Sequence, residues 1–182
     1  MVESNVGVNK ANYFIERKAD LSVDFENGWV KKRLTIFLRN KANPALGVTG
    51  RYKAYLRVLA PQEAFFQDIE VISAGNRDTL APEINETRGR KEVGLVVEVG
   101  PGQTKSIIFS WENNFGADFN LPGEYRLFWR KQAGTDADPI IIRYLFPENL
   151  NLVASPAFSL TQEAAVGYNT NLARDFTSRI FW

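Results

Sequence analysis

From Gly123 to Phe146 the chain alternates large apolar and polar side chains with a period of two residues, and this pattern restricts the fold more than any other feature. Tyr125, Leu127 and Trp129 interleave with Arg126, Phe128 and Arg130, and after the polar segment AGTDADP the run Ile140, Ile142, Tyr144, Phe146 takes up the same period. Successive side chains of a strand point to opposite faces, so each run predicts a half-buried strand. The polar segment between them predicts a hairpin.

The same grammar recurs along the chain. Leu21, Val23 and Phe25 alternate with Asp20, Ser22 and Asp24, and Glu26-Asn27-Gly28 then predicts a tight turn, because both central residues tolerate positive φ. The return strand, Val30 to Arg39, places Val30, Leu34, Ile36 and Leu38 together, with Lys32 as a charged exception on the apolar phase. Tyr52 to Val58 repeats the pattern up to Pro61, and a short strand runs from Asp68 to Ser73. Val93 to Val99 and Ile107 to Trp111, joined by Gly100-Pro101-Gly102-Gln103, predict a second hairpin, and short strands at Phe158 to Leu160 and Phe176 to Trp182 close the chain. Loops are expected at 40–51, with Pro44, Gly47 and Gly50 as breakers, at 113–122, and at 74–91, the last without any clear pattern. No window has a helical period. About nine or ten short strands separated by turn signals predict an all-β fold, a two-sheet antiparallel β-sandwich of immunoglobulin-like or jelly-roll-like form. Residues 1–12 read as a linker or arm, and 13–182 as one sandwich domain.

Composition narrows the chemistry. At 182 residues and 45% hydrophobic, the chain is long enough to bury a proper core. Lys and Arg number 22 against 21 Asp and Glu, a formal charge of +1, so no global field draws the chain to nucleic acid or to an anionic membrane. The absence of His and Cys excludes thiolate metal sites, disulfides and Ser-His-Asp chemistry. No run of about 18 apolar residues predicts a membrane span, and MVESNVGVNK lacks the apolar middle of a signal peptide. Met1 is followed by a segment that looks internal, so the chain reads as a piece of a longer protein whose targeting information lies elsewhere.

Three stretches carry a family resemblance: Asn5 to Tyr13 with Ile15-Glu16-Arg17, Gly50 to Val58 with Ala60-Pro61, and Tyr125-Arg126-Leu127 with Lys131 to Asp136. Together with Pro101-Gly102-Gln103-Thr104 they resemble the C-terminal region of bacterial surface proteins carrying domain of unknown function 4012, from Asn5 to about Phe146. The resemblance implies an extracytoplasmic, β-rich, non-catalytic module on the bacterial cell surface, with a structural or adhesive role and a membrane anchor outside this chain. The expected partner is a protein or polysaccharide at that surface. Ala133 stands where the family more often has Pro, and no catalytic residue carries over.

Three candidate sites follow from the residues. Asp136 and Asp138 offer hard oxygen ligands for calcium, with Asp118 or Asn120 as further donors if the loops meet; the commoner role of such residues is an Asx turn. Tyr55 and Phe128 fall out of phase with the apolar faces and are candidates for stacking on sugar rings, which would make the chain a carbohydrate-binding module for envelope polysaccharide. Trp111 and Trp129 fit the core. Arg57, Arg126 and Arg130, with Lys131 and Arg143, offer a basic stripe for an acidic polymer, against the commoner role of a solvated strand face with cross-strand ion pairs. An envelope hydrolase needs two facing carboxylates, and the sequence singles out no pair.

Overall fold

The computed structural model describes residues 2–6, 11–45, 50–132, 135–162 and 165–182. Among them the chain forms sixteen strands, β1 to β16, and a short 3-10 turn at Ala11–Phe14. The period-two stretches become the long strands β2 (Ile15–Glu26), β3 (Trp29–Asn40), β4 (Tyr52–Pro61), β9 (Arg90–Val99), β10 (Thr104–Asn114), β11 (Glu124–Trp129) and β12 (Asp138–Leu145). β2 and β3 form the expected hairpin: Glu26 pairs with Trp29 across Asn27 (φ 51°) and Gly28 (φ 78°), the two-residue turn whose twist suits antiparallel strands.

The strands make one large mixed sheet and two smaller antiparallel ones. The large sheet runs β14 (Leu160–Gln162), β15 (Ala165–Leu172), β12, β2, β3, β10, β6 (Ile69–Ser73), β7 (Asn76–Leu80), with β5 (Phe65–Phe66) on the far part of β10. Its one parallel pair is β2 with β12. The four-stranded sheet runs β1 (Val2–Asn5), β4, β9, β8 (Glu83–Thr87), and the three-stranded sheet β11, β16 (Phe176–Phe181), β13 (Val153–Ser155).

Both small sheets cover the same face of the large one. On β2, Ile15, Arg17, Ala19, Leu21, Val23 and Phe25 are all buried on one face. Near its start Arg17 lies over the Tyr52 ring of the four-stranded sheet, 5.7 Å from the centroid. At its end Phe25 meets Tyr125 of the three-stranded sheet edge to face at 4.9 Å. Buried Asn40 ties the layers at one end, donating to Gly50 O (2.8 Å) and to Val99 O (2.9 Å). The buried hydroxyls of Tyr144 and Ser178, 2.8 Å apart, tie them at the other.

Several expectations change. The run from Gly123 to Phe146 is not a hairpin. β11 pairs with β16 in the small sheet and β12 with β2 and β15 in the large one, so the chain changes layers between them. Their inward residues meet across the sandwich, with Tyr125 and Tyr144 edge to face at 5.9 Å. Gly100 to Gln103 is a tight turn, with Gln103 N donating to Gly100 O at 3.0 Å. It too joins two sheets, because β9 pairs with β4 and β10 with β3. Period-two alternation reports which faces are buried, and a strand that crosses layers buries its face as well as one that folds back.

The expected loop at 74–91 is two short hairpins, β6–β7 turning at Ala74-Gly75 and β8–β9 turning at Arg88-Gly89, all four residues with positive φ. β7 and β8 are exposed at every position, which removes the alternation that would reveal them. Val2–Asn5, expected in an arm, pairs with β4 as an edge strand. β15 carries Gly167 and Asn residues in place of a clear apolar phase and has no counterpart among the expected strands. Gly7 to Lys10, Gly47, Ala133 and Gly134, which belong to the motifs and breakers noted above, lie outside the described residues.

Candidate functional site

The outer face of the three-stranded sheet collects three of the five residues predicted to bind a ligand. β11 turns Tyr125 and Trp129 inward, so Arg126 and Phe128 face solvent, and Arg130 follows on the same phase. Register places Arg179 of β16 opposite Arg126, and Thr177 opposite Phe128. Two guanidinium groups on directly opposed residues would repel. Glu124 relieves this: its Oε2 accepts from Arg126 Nη2 at 2.7 Å, and its Oε1 accepts from Arg179 Nε. The two arginines, Arg126 first, hold the Glu124 carboxyl down at about 2. Arg130 lies over the Phe128 ring at 5.6 Å and Arg179 over Phe181 at 5.1 Å. Phe128 is 56% exposed, and Val153, 66% exposed, lies two strands away opposite Phe181. Arg126 and Arg130 thus flank exposed Phe128 along β11, and Arg126 and Arg179 share the Glu124 carboxylate.

Tyr55 and Arg57 stand apart, on the outer face of the four-stranded sheet. The Arg57 guanidinium lies 5.9 Å from the Tyr55 ring centroid and donates to Glu92 Oε2 and Ser4 Oγ, each at 3.4 Å. The Tyr55 ring covers Gly94 so closely that a Cβ there would sit 2.7 Å from its Cζ. One face of the ring therefore packs on β9, as an aromatic does beside a strand glycine. The basic stripe is divided as well. Arg143 is on the outer face of the large sheet, ion-paired to Asp20.

At the turn before β12, Asp136 is exposed and its carbonyl accepts from Asp138 N at 3.0 Å. Asp118 Oδ1 accepts from Asn120 N and Nδ2, both at 2.9 Å, which is an Asx turn closed on itself. Among the described residues no three acidic side chains gather into a cation site. The turn is organised by a cation of its own: Lys131 Nζ donates to Gln132 O (2.9 Å), to Thr135 Oγ1 (2.8 Å) and to Thr135 O. The backbone N–H of Lys131 donates to Asp175 at 2.8 Å.

A general acid needs a carboxyl raised toward neutrality. The described carboxylates that shift, Glu16, Glu26, Glu98 and Glu124, all shift down beside Lys or Arg. Sequence reasoning missed Glu124, although its spacing from Arg126, two residues on within one strand, places both on one face.

No family model and no curated protein matches the chain. Among solved structures, one provisionally named a nutrient-binding protein, from Legionella pneumophila, matches with a TM-score of 0.56 at 8% identity over 98% of this chain and 69% of its own. Yeast LTA4 hydrolase, in complex with bestatin, matches at 0.49 and 10% identity over 98% of this chain and 31% of its own. At such identities the first likeness shows a shared β architecture, and the site must carry any functional argument.

Proposed function

We propose that the chain is a non-catalytic adhesive module of a bacterial cell-surface protein, held outside the cytoplasm by an anchor elsewhere in that protein. In this reading the two small sheets act as the second layer of a two-layer sandwich. The outer face of the three-stranded sheet is the contact surface, and its ligand is an acidic envelope polysaccharide. One observation carries the choice of face: Phe128 is exposed at 56% between Arg126 and Arg130 on one strand, with Arg179 opposite Arg126 on the next. Flat apolar surface suits the apolar face of a sugar ring, and guanidinium groups pair with carboxylates or phosphates. Tyr55 and Arg57 are left to structural work against Gly94 and Glu92.

The test is binding to two acidic polymers, polygalacturonate and poly(glycerol phosphate), at low and physiological salt. Arg130→Ala and Phe128→Ala should each weaken binding by about tenfold, as expected for losing one charged or stacking contact. Wild-type protein that binds neither polymer, or variants that bind as well as wild type, would sink the reading. Placement is tested on whole cells, where added protease should cleave the full-length protein; complete protection until the cells are lysed would refute a surface position.

A further inference from the structure

Lys32 breaks the apolar phase of β3, and the structure turns its side chain inward. It lies directly opposite Val23 on β2 and Trp111 on β10. The residue is half-buried. Its ammonium donates to the neutral amide of Asn113, at Oδ1, over 3.2 Å, and stands 5.9 Å from the Tyr125 ring centroid. Among the described residues no carboxylate is within ion-pair distance of it, and the acid that acts on it through space is Glu63, on the exposed turn after β4. The other described lysines differ: Lys31, Lys41 and Lys53 hold carboxylates, and Lys91 and Lys131 hold carbonyl oxygens. Lys18 is on the outer face of β2, and Lys105, on the inward phase at the start of β10, lies opposite Leu38 at the other end of that strand from Trp111.

We propose that Lys32 is a reactive amine that condenses with small aldehydes. Nζ, once deprotonated, attacks the carbonyl carbon. The carbinolamine then loses water, whose oxygen comes from the aldehyde and whose hydrogens come from the amine and a solvent proton, leaving a protonated imine on Lys32. The iminium proton passes to solvent when the imine is neutralised. The groups facing Nζ agree with this chemistry. Asn113 accepts one hydrogen bond and brings no charge, the Tyr125 face offers only the weak attraction of a ring for a cation, and Glu63 acts from a distance. With little to compensate an ammonium taken from water, the amine moves down from the ordinary lysine range to about 8. The inference does not depend on the polymer-binding face.

The experiment treats the intact protein with propionaldehyde at pH 7, traps imines with borohydride and maps the propylated lysines by mass spectrometry. Lys32 should be modified at least about tenfold faster than the exposed lysines. The lead should shrink at pH 10. Glu63→Gln, at an exposed position, removes the through-space stabilisation of the ammonium and should quicken labelling of Lys32 alone. Labelling spread over the exposed lysines with Lys32 among the slowest would overturn the proposal, as would a Lys32 rate unmoved by Glu63→Gln.

Discussion

At the scale of single residues, two buried positions are set by chemistry that allows little substitution. The Tyr144 and Ser178 hydroxyls pair at 2.8 Å between layers, with both residues at 0% exposure. Ser178→Ala would leave the Tyr144 phenol buried without that partner, and it should cost about 1–3 kcal/mol in urea unfolding. Tyr144→Phe on the Ser178→Ala background should then add far less than it does alone, because the donor and acceptor are removed together. A double-mutant cycle that adds up without coupling would refute the pairing. Gly167 is the second position. A Cβ there would collide with the backbone of Ile142 and lie 3.2 Å from Arg143 Cα on β12, and neither can yield without moving the strand. Gly167→Ala should therefore lower stability by about 3 kcal/mol or more, in the range of severe overpacking. Gly28→Ala meets no atom and suffers only its φ of +78°, so it should lose about 1 kcal/mol.

At the scale of elements, the three-stranded sheet makes a prediction about acid. Glu124 has its carboxyl lowered from 4.5 to about 2 by Arg126 and Arg179. A carboxyl depressed on folding contributes stability above its unfolded pKa, and that contribution is lost as pH falls through the folded value. The window is thus from about pH 5 down to 2. Glu124→Gln should flatten the stability profile there while leaving the shape above pH 6 unchanged; an identical acid limb in both proteins would argue against the fork. This exposed network was only half legible in the sequence. Alternation identified Arg126 and Phe128 as outward, yet said nothing of β16, whose Arg179 makes the fork necessary. The same limit explains the layer crossings after β9 and β11. Buried faces are written locally in the pattern of Tyr125, Trp129, Ile140 and Tyr144, whereas the choice of neighbour strand is a long-range outcome in which hairpin and crossover bury the same side chains. β7 and β8 were illegible for another reason: hydrogen bonds and positive-φ turns hold them, and neither needs an apolar phase.

At the scale of the whole molecule, the sandwich concentrates phenols where its layers meet. Tyr125, Tyr144 and Tyr168 are buried along this seam, with Tyr125 5.9 Å and Tyr168 6.3 Å from the Tyr144 ring. Burial raises all three above the usual tyrosine range, Tyr168 to about 12. A group kept neutral by burial contributes stability that is intact below its unfolded pKa, here about 10, and is lost as pH rises toward the folded value. Lys32 has the opposite sign in a lower window. Its amine is depressed to about 8 from 10.5, so the unfolded chain holds the extra proton between those values and folding strengthens as pH rises through them. The two effects predict a two-part alkaline profile. Stability should rise modestly from pH 8 to 9.5 in the wild type but not in Lys32→Met, and should fall steeply in both above pH 10. Because the seam phenols ionise only when the layers part, their phenolate absorbance near 295 nm should grow together with the loss of near-ultraviolet circular dichroism. Full phenolate absorbance in a protein whose dichroism is intact would show that the layers admit charge without opening, and the seam described here would then be wrong.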